Sequence, residues 1–370
     1  MGGLRVAFVV QGEGRGHMTQ ALALGAFLRD AGHEVVRVLV GRSPHRRIPS
    51  YFRDGMGAPV VDFEAPTQVP GDDGRALSVG RTIADALRRS PKFLKATVQI
   101  AEATADADVV VNLLDFMAGL SRRLFPVDVP SLAVAHNYLF LHPDLPPPPG
   151  PRRVRRLVMA YTRATAAGTE RKLALSFTEL SDRPEIGLEV VPPLLRPGLD
   201  QRVIDDGGYL LAYALNSGYG AELARWHRRS AGPVIHCYME GGAASLATDP
   251  APGFHVHRLD AESFLQHLAG CRAFVGSAGF ESLCEAHYLG KPVLAVPTDG
   301  QFEQTLNAWD AERVGVARAG SYADLDDFWR EPPIPSSSAV EAFRQWVHRA
   351  PGMVVDAVER TSRAGTAERK

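Results

Sequence analysis

Strand-like and helix-like segments alternate along almost the whole chain, and this alternation restricts the fold more than any other feature. The apolar run RVAFVV precedes a helical pattern at 18–31, and the runs EVVRVLV, DVVVNLL and PSLAVAH follow. The alternation begins again near residue 208, with the strand-like runs GGYLLAYAL, GPVIHCYM, FHVHRL, CRAFVGS and KPVLAVP. Apolar strands that alternate with helices indicate parallel strands joined by crossover helices. The sequence therefore predicts an α/β fold with two parallel sheets.

The length of the chain supports a division into domains. At 370 residues it exceeds the size at which a single core keeps growing. We expect two Rossmann-like domains, residues 1–195 and 196–335, with the boundary near Pro193 to Asp200. The stretch EPPIPSSS interrupts the second pattern. Residues 336–370 are expected to form a helix that packs on its own domain or crosses back to the first, followed by a frayed end.

Composition excludes several classes of protein. No apolar run approaches the ~20 residues of a membrane-spanning helix, and the first residues lead directly into a strand rather than a signal peptide. A soluble, cytoplasmic protein is therefore expected. The net charge of −1 argues against nucleic-acid binding. The three cysteines, Cys237, Cys271 and Cys284, are scattered without CxxC spacing, so we interpret them as buried apolar residues and expect neither a disulfide nor a zinc site.

The first strand ends in the glycine-rich turn GEGRGH, which contains Gly12, Gly14, Gly16 and His17. A helix follows at once, and helix N-termini bind phosphate through unpaired N–H groups. A dinucleotide fold would need G-x-G-x-x-G and an acid at the end of the second strand. Here the third glycine comes one residue early and the second strand ends in Gly41-Arg42. Arg42 facing a 2′-phosphate keeps an NADP-dependent enzyme open as an alternative, whereas the absence of GK[ST] excludes a P-loop.

A second turn of this kind follows the strand CRAFV and comprises Gly276, Ser277, Ala278 and Gly279. Small residues let a pyrophosphate approach the backbone amides at the start of the next helix. Glu281 and Glu285 lie at i and i+4 on that helix, on one face. A carboxylate there can accept both hydroxyls of a ribose. The competing interpretation is that Glu281 stabilises the helix N-terminus and Glu285 is a solvated charge.

A cluster of amides and carboxylates follows the next strand. The segment PTDGQFEQTLNA carries the polar residues Asp299, Gln301, Glu303, Gln304 and Asn307. It contains no nucleophile paired with a base. Such side chains bind paired sugar hydroxyls, so this segment predicts a polyhydroxylated ligand.

These two motifs together resemble GT-B glycosyltransferases. The segment SAGFESLCEAHYLGKPVLAVPTDGQFEQTLNA is similar to their donor-binding segment. The segment resembles the group of the N-acetylglucosaminyltransferase of lipid-linked peptidoglycan synthesis and the plant galactolipid synthases. It resembles still more closely the bacterial and archaeal glycosyltransferases that open with G-x-G-R-G-H. The similarity covers residues 12–32 and 271–315, and it implies two Rossmann-like domains with parallel sheets facing across a cleft.

The resemblance also implies roles for the donor-side residues. It places Glu285 on the ribose of a nucleotide sugar, with the diphosphate beside Ser277, Ala278, Gly279 and Phe280. It assigns the donor sugar to Gln301, Glu303 and Gln304. The base, expected to be uracil, faces the loop from His257 to Leu259. Asn216 and Ser217 stand where relatives place a further phosphate-binding turn, but NSGYG replaces the usual GGSxG, which puts that contact in doubt.

Transfer of a sugar requires a base for the acceptor hydroxyl. His17 is the leading candidate because imidazole titrates near neutrality and follows the first glycine turn. Asp115 and His136 follow two further strands and are alternatives, either as the base or as residues that orient His17. The resemblance implies inversion, and helix amides beside Gly14, Gly16 and the second turn are expected to replace a metal ion. Asp106-Ala-Asp108 has the spacing of a metal motif, but it precedes a strand and is interpreted as a turn.

The acceptor is the part that the sequence constrains least. The basic segment 152–163 fits an anionic lipid surface at the inner membrane face or an acceptor phosphate, and equally a solvated helix face. The proline-rich stretch HPDLPPPPGP before it is interpreted as a mobile loop near the acceptor. We expect a transferase that uses a UDP-sugar and a lipid, glycan or natural-product acceptor, with no cofactor. The alternatives are a nucleotide-sugar 2-epimerase of the same fold and a binding protein without activity.

Overall fold

A computed structural model gives the architecture of the chain. It describes residues 2–42, 48–67, 81, 84–85, 88–125, 128–214, 217–230, 232–246 and 251–367. These residues form two compact units. The first unit contains the chain up to Arg196 together with the C-terminal segment from Trp346, and the second unit contains Pro197–Gln345.

The first unit is built on a parallel sheet of seven strands within the described residues. In chain order these are β1 (Arg5–Val10), β2 (Glu34–Arg42), β3 (Val60–Glu64), β4 (Val109–Leu113), β5 (Ser131–Ala135), β6 (Arg171–Leu175) and β7 (Leu188–Val191). The order across the sheet is β3-β2-β1-β4-β5-β6-β7, and each neighbouring pair is parallel. β4 and β5 are buried along their whole length, as expected for a sheet covered on both faces.

Helices follow the strands of the first unit as the sequence predicts. They are α1 (Arg15–Asp30), α2 (Ser50–Met56), α3 (Ser90–Thr104), α4 (Phe116–Leu124) and α5 (Arg152–Thr165), with a 3₁₀ helix at His136–Leu141. Helix α1 buries Ala21, Leu24 and Leu28, whose spacing of three and four residues puts them on one face. The expected start of α1 at residue 18 is wrong, because Gly14 caps the helix and Arg15 begins it. His17 therefore lies inside the first turn.

The second unit repeats this plan with six parallel strands among its described residues. These are β8 (Leu210–Ala214), β9 (Ile235–Met239), β10 (Phe254–His257), β11 (Ala273–Gly276), β12 (Val293–Ala295) and β13 (Arg318–Ala319), in the order β10-β9-β8-β11-β12-β13. Its helices are α6 (Ser217–Ser230), α7 (Ala261–Gly270), α8 (Phe280–Tyr288), α9 (Phe302–Arg313) and α10 (Leu325–Arg330). The three cysteines are buried thiols, which agrees with their interpretation as apolar core residues.

Residues 336–367 form two helices where the sequence suggested one. They are α11 (Ser337–His348) and α12 (Ala350–Ala367), and Pro351 occupies the first turn of α12, where its missing N–H costs nothing. Helix α12 packs against α1, β4 and β5 of the first unit. The Trp346 indole N–H donates to the Ser176 carbonyl at 2.9 Å, which fixes the start of this returning segment.

Both sheets have a point at which the strand order reverses. In the first unit it lies between β1 and β4, and in the second between β8 and β11. Ligands of open parallel sheets bind at such points, beyond the carboxyl ends of the strands. The turn GEGRGH follows β1 and the turn GSAG follows β11. The two glycine turns therefore occupy the ligand-binding end of their sheets.

Candidate functional site

The glycines of the first turn differ in what requires them. A Cβ on Gly12 would lie 1.8 Å from the Gly41 carbonyl oxygen, so Gly12 is required by the close approach of this turn to β2. Gly14 caps α1 with extended backbone, and a Cβ there would meet only the His17 ring, at 3.7 Å. The first turn of α1 contains no acidic residue, which leaves the positive end of the helix dipole available to an anion. Gly14 and Gly16 thus belong to an open helix N-terminus, whereas Gly12 serves packing.

His17 occupies the third position of α1 and is 6% exposed. Its Nδ1 lies 3.2 Å from Oε1 of Gln20, one turn further along the helix. Because an amide oxygen only accepts hydrogen bonds, Nδ1 carries the hydrogen in this contact. The lone pair of the neutral ring is then on Nε2, which is the tautomer that a proton acceptor at Nε2 requires.

Asp115 follows β4 and caps α4. Its Oδ1 accepts from the Ala118 N–H at 2.9 Å, while its own N–H donates to Asn112 Oδ1 at 2.8 Å. The preceding residue, Leu114, has a φ of 56°, so the backbone is strained at this point. Burial raises the pKa of the Asp115 carboxyl to about 7. A carboxyl that titrates near neutrality suits proton transfer, although this one also holds the start of a helix.

His136 follows β5 and begins the 3₁₀ helix. Its Nδ1 donates to the Leu175 carbonyl at 2.7 Å, which ties β5 to the end of β6. The ring lies edge-on to Phe140 and Phe177, with centroid distances of 5.0 and 5.4 Å. The bond from Nδ1 leaves the lone pair of the neutral ring on Nε2, as in His17, while the two phenyl rings fix the ring plane.

An aromatic pair beside the first glycine turn was not found from the sequence. Tyr161 of α5 stacks on Phe116, the first residue of α4, with centroids 5.8 Å apart. The Tyr161 hydroxyl accepts from the Gln11 amide at 3.3 Å, which brings α5 to the turn after β1. The sequence places each of the two aromatic residues in a helix, but only the fold shows that they are in contact.

Helix α5 has a strongly basic outer surface. Its exposed side chains include three arginines, Arg152, Arg153 and Arg156. Two apolar residues, Val154 and Leu157, are exposed beside them, and Leu157 is 65% exposed. In the described part of the chain, no helix is both long enough and apolar enough to cross a membrane.

The second turn contains a strained residue, Ala278, which is held by a hydrogen bond from helix α9. Ser277 and Ala278 are buried, and Ala278 has a φ of 54°, a conformation that costs an alanine about 1 to 2 kcal/mol. The Asn307 amide of α9 donates to the Ala278 carbonyl at 3.0 Å. Gly279 caps α8 and Phe280 begins it. This bond between α9 and the turn offsets the strain and presents the amides at the start of α8.

Glu285 and Glu281 are both buried in α8, at 0% and 5% exposure. The interpretation of Glu285 as a solvated charge is therefore wrong. Their charges, with that of Asp310, add to burial in raising the pKa of the Cys284 thiol well above its usual value. A hydroxyl that the sequence analysis overlooked lies on the same turn, where Ser282 Oγ donates to the Gly279 carbonyl at 2.9 Å.

The polar loop after β12 is held from two sides. Gln304 Oε1 accepts from the Thr298 N–H at 2.8 Å, and the Tyr219 hydroxyl accepts from the Asp299 N–H at 2.9 Å. Gln301 caps α9, and Glu303 is half-buried in its first turn. Gln304 can offer a ligand both of its N–H groups, because its bond to Thr298 uses the oxygen.

The remaining predicted contacts of a nucleotide have mixed outcomes. His257 ends β10, Leu259 is half-buried in the following loop, and the Asp260 carboxylate caps α7 through the Ser263 N–H at 2.8 Å. Burial, with smaller effects of His267 and His255, lowers the pKa of His257. Asn216 and the side chain of Ser217 lie outside the described residues, and Ser217 begins α6.

Two other motifs are explained by ion pairs. Asp106 pairs with Arg5 and Arg37 at 3.1 and 3.2 Å, and Asp108 accepts from the Arg5 N–H at 2.7 Å, so both serve the turn into β4. Arg42 pairs with Glu64 and, at 3.4 Å, with Asp62. Its charge is therefore shared with two carboxylates, which weakens the NADP alternative.

Comparison with known proteins identifies the family. Residues 4–331 match the family model described as glycosyl transferase family 1. None of the curated proteins matches the sequence.

Solved structures support the fold. The glycotransferase of kitacinnamycin matches with a TM-score of 0.61 at 18% identity, over 97% of this chain and 99% of that one. LpCGTa, solved in complex with UDP, matches with a TM-score of 0.58 at 16% identity, over 97% and 99%. MurG of Acinetobacter baumannii matches with a TM-score of 0.56 at 17% identity, over 96% and 99%. The chain belongs to glycosyl transferase family 1 and is a glycosyltransferase with the GT-B fold.

Proposed function

We propose that this glycosyltransferase moves a sugar from a UDP-sugar to an acceptor hydroxyl, with inversion and without a metal ion. The observation that carries the donor assignment is the complete burial of Glu285 in the helix that starts at the turn 276–280. A carboxylate held in this helix, next to the turn, can accept hydrogen bonds from both vicinal hydroxyls of a ribose.

The diphosphate fits the start of α8. Ala278, Gly279 and Phe280 present their amides there, and the dipole of α8 adds partial positive charge. We assign to these groups the neutralisation of the leaving diphosphate that a divalent cation provides in other transferases. The backbone from His257 to Leu259 is assigned to the uracil. The similarity to LpCGTa, whose structure contains UDP, supports that choice of base.

The donor sugar is assigned to the loop after β12. Glu303 is a half-buried acceptor in the first turn of α9, and Gln304, whose oxygen accepts from Thr298, contributes its N–H groups. Gln301 precedes them at the cap of the helix. An acceptor and a donor set side by side suit a sugar, whose hydroxyls both donate and accept hydrogen bonds.

The chemistry follows from the tautomer of His17. Nε2 takes the proton of the acceptor hydroxyl, and that oxygen forms its bond to the anomeric carbon. The bond from this carbon to the diphosphate oxygen breaks on the opposite face, and UDP leaves with the electron pair. Asp115 and His136 follow the neighbouring strands β4 and β5, and each is an alternative base or a positioning residue.

The acceptor side favours a partly apolar molecule. The stacked pair of Phe116 and Tyr161 offers an aromatic surface next to the first glycine turn. The exposed Leu157 and the arginines of α5 add an apolar and cationic surface that suits anionic lipid. We therefore propose a lipid or a hydrophobic natural product as acceptor, with peripheral membrane contact through segment 152–163.

The donor assignment is tested with Glu285→Gln. Binding of UDP, measured by titration calorimetry, is expected to weaken at least tenfold, because the neutral amide loses charge-assisted bonds to the ribose. Glu262→Gln, an exposed carboxylate of the second unit, is the matched control and should bind UDP as the wild type does. Equal binding by the Glu285 variant would refute the ribose assignment.

The class of reaction is tested by measuring what happens to the donor with and without an acceptor. UDP-sugars incubated with the enzyme and a panel of lipid and phenolic acceptors should release UDP only when an acceptor is present. Activity should persist in EDTA, and the product should have the inverted anomeric configuration by NMR. Epimerisation of the donor without acceptor would favour the epimerase. Stabilisation by NADP but not by any nucleotide sugar would overturn the transferase mechanism proposed here.

A further inference from the structure

Four of the twelve histidines of the chain lie in one layer of the second unit. Strands β9 and β10 pair so that His255 is opposite His236 and His257 is opposite Tyr238. The alternate residues, including Ile235, Cys237 and Phe254, belong to the core on the other face. The period of two along a strand therefore places the histidines together on the face that α7 covers with His267.

Three of these rings lie against one another, with their nitrogens close together. His236 Nδ1 lies 2.9 Å from His257 Nε2. The ring of His267 is 4.2 Å from that of His236 and 5.0 Å from that of His257, centroid to centroid. One ring nitrogen from each residue can be chosen so that all three lie within 4.8 Å of one another.

A fourth side chain fixes the orientation of one ring. The Tyr238 hydroxyl lies 2.7 Å from His267 Nδ1. Histidines that bind metal ions usually make such a bond through the other nitrogen, which fixes the tautomer and the ring plane. All three histidines are half-buried, so solvent reaches the group while the surrounding side chains hold it.

We propose that His236, His257 and His267 bind a divalent transition-metal ion with the preferences of Zn²⁺. Three imidazole nitrogens suit Zn²⁺, Ni²⁺ and Cu²⁺, whereas Mg²⁺ and Ca²⁺ require oxygen ligands. Zn–N bonds of about 2.0–2.1 Å require the rings, whose planes are inclined to one another by 17° to 39°, to turn so that one nitrogen of each points at the ion. Three protein ligands leave the fourth tetrahedral position to water or another small ligand.

The proposed ion would have a structural role that is separate from the transfer chemistry. Its ligands come from β9, β10 and α7, and not from the turn 276–280 that we assign to the diphosphate, while the ring of His257 would bind the ion and the backbone that follows it would still face the uracil. His257 ends β10 and His267 lies within α7, so an ion bound to both would join the two ends of the loop 258–260. This inference does not depend on the proposed donor, and neither result decides the other.

The test uses the full chain, purified without a histidine tag and freed of metal with a chelator. Calorimetry is expected to show one Zn²⁺ per chain and a rise in melting temperature of a few degrees, with binding of Ni²⁺ but not of Mg²⁺. His236→Gln and His267→Gln should each weaken Zn²⁺ binding at least tenfold. His348→Gln, which removes an exposed histidine of the first unit, should leave it unchanged. The absence of Zn²⁺ binding by the wild type, or equal binding by both cluster variants, would overturn the proposal.

A second measurement avoids any dependence on how the variants fold. The wild type is modified with diethylpyrocarbonate, with and without Zn²⁺, and the modified histidines are identified by mass spectrometry. Zn²⁺ should protect His236, His257 and His267 while His348 remains reactive. Equal modification of the three residues in both samples would contradict the site.

Discussion

The contact of His17 with Gln20 leaves Nε2 as the proton acceptor, and this role can be tested by replacing the one residue. Replacing His17 by Gln removes the group that we propose to accept the proton, and kcat is expected to fall by about 10²- to 10⁴-fold. UDP affinity should change little, because the groups assigned to the uracil and the ribose lie in the second unit and the His17 side chain is not among those assigned to the diphosphate. UDP release gives kcat, and calorimetry gives the affinity.

The exposed His348 provides the matched control, and His348→Gln should retain the activity of the wild type. A His17→Gln variant that keeps more than about a third of kcat would move the role of base to Asp115 or His136, because loss of a general base costs far more than threefold.

Asp115 predicts a pH-dependent stability. Burial holds its folded pKa near 7, above the ordinary value of 3.8, so the folded state keeps a proton that the unfolded chain releases. Stability from this group is present below about pH 4 and is lost as the pH rises to about 7. Asp115→Asn keeps a helix-capping side chain and removes the titration.

The free energy of unfolding of this variant, relative to that of the wild type, should therefore increase by about 2 to 3 kcal/mol as the pH is raised from 5 to 8. Urea unfolding of both proteins at the two pH values measures the difference. Parallel pH profiles would show that the carboxyl is not buried in this way.

At the scale of elements, the first glycine turn separates packing from ligand binding. Gly12→Ala would force a methyl group into the Gly41 carbonyl of β2, so the loss of stability should exceed about 2 kcal/mol. Gly14→Ala places its methyl group in ordinary van der Waals contact with the His17 ring, at 3.7 Å, and should cost less than about 1 kcal/mol. Thermal unfolding compares the two variants, and equal losses would contradict the distinction.

The alternation of strands and helices was readable from the sequence because most of the strands are largely apolar and many of them are followed by a helix with one apolar face. The turns after β1 and β11 could be located for the same reason. The packing of Gly12 on Gly41 could not, since it depends on a contact between residues 29 positions apart. Likewise, Tyr161 meets Gln11 only after β1, α4 and α5 are assembled.

The histidine layer illustrates a signal that was present but had not been interpreted. The spacing H-x-H in FHVHRL places two histidines on one face of a strand, but His236 and His267 join them only through strand pairing and helix docking. Metal motifs read from sequence rely on short ligand spacings, and this group extends from residue 236 to 267 across three elements. No metal site was therefore expected.

At the scale of the whole molecule, both units use one rule. Each sheet reverses its strand order beside the strand whose carboxyl end carries a glycine turn, and each turn opens a helix. The rule accounts for two ligand-binding ends in one chain without any similarity between the two turn sequences. It explains why a transferase that must bind both a donor and an acceptor can be built from two copies of a similar sheet.

The returning C-terminal segment gives a test of how the chain divides into units. Trp346 is buried with Leu139, Ala174 and Val190 of the first unit, and its indole N–H bonds to Ser176. Trp346→Ala should destabilise the first unit by about 3 to 5 kcal/mol. Hydrogen exchange should show this as lost protection in β5 and β6, while UDP affinity stays unchanged.

Trp226 is the counterpart in the second unit, where it is buried and its indole donates to Asp326 at 2.8 Å. Trp226→Ala should lower protection in β8 and β9 and weaken UDP binding, because the residues assigned to the nucleotide belong to the same unit. If Trp346→Ala weakened UDP binding as much as Trp226→Ala, the C-terminal segment would have to support the nucleotide site as well. Opposite patterns of exchange and affinity in the two variants would instead show that the segment from Trp346 stabilises the sheet of the first unit alone.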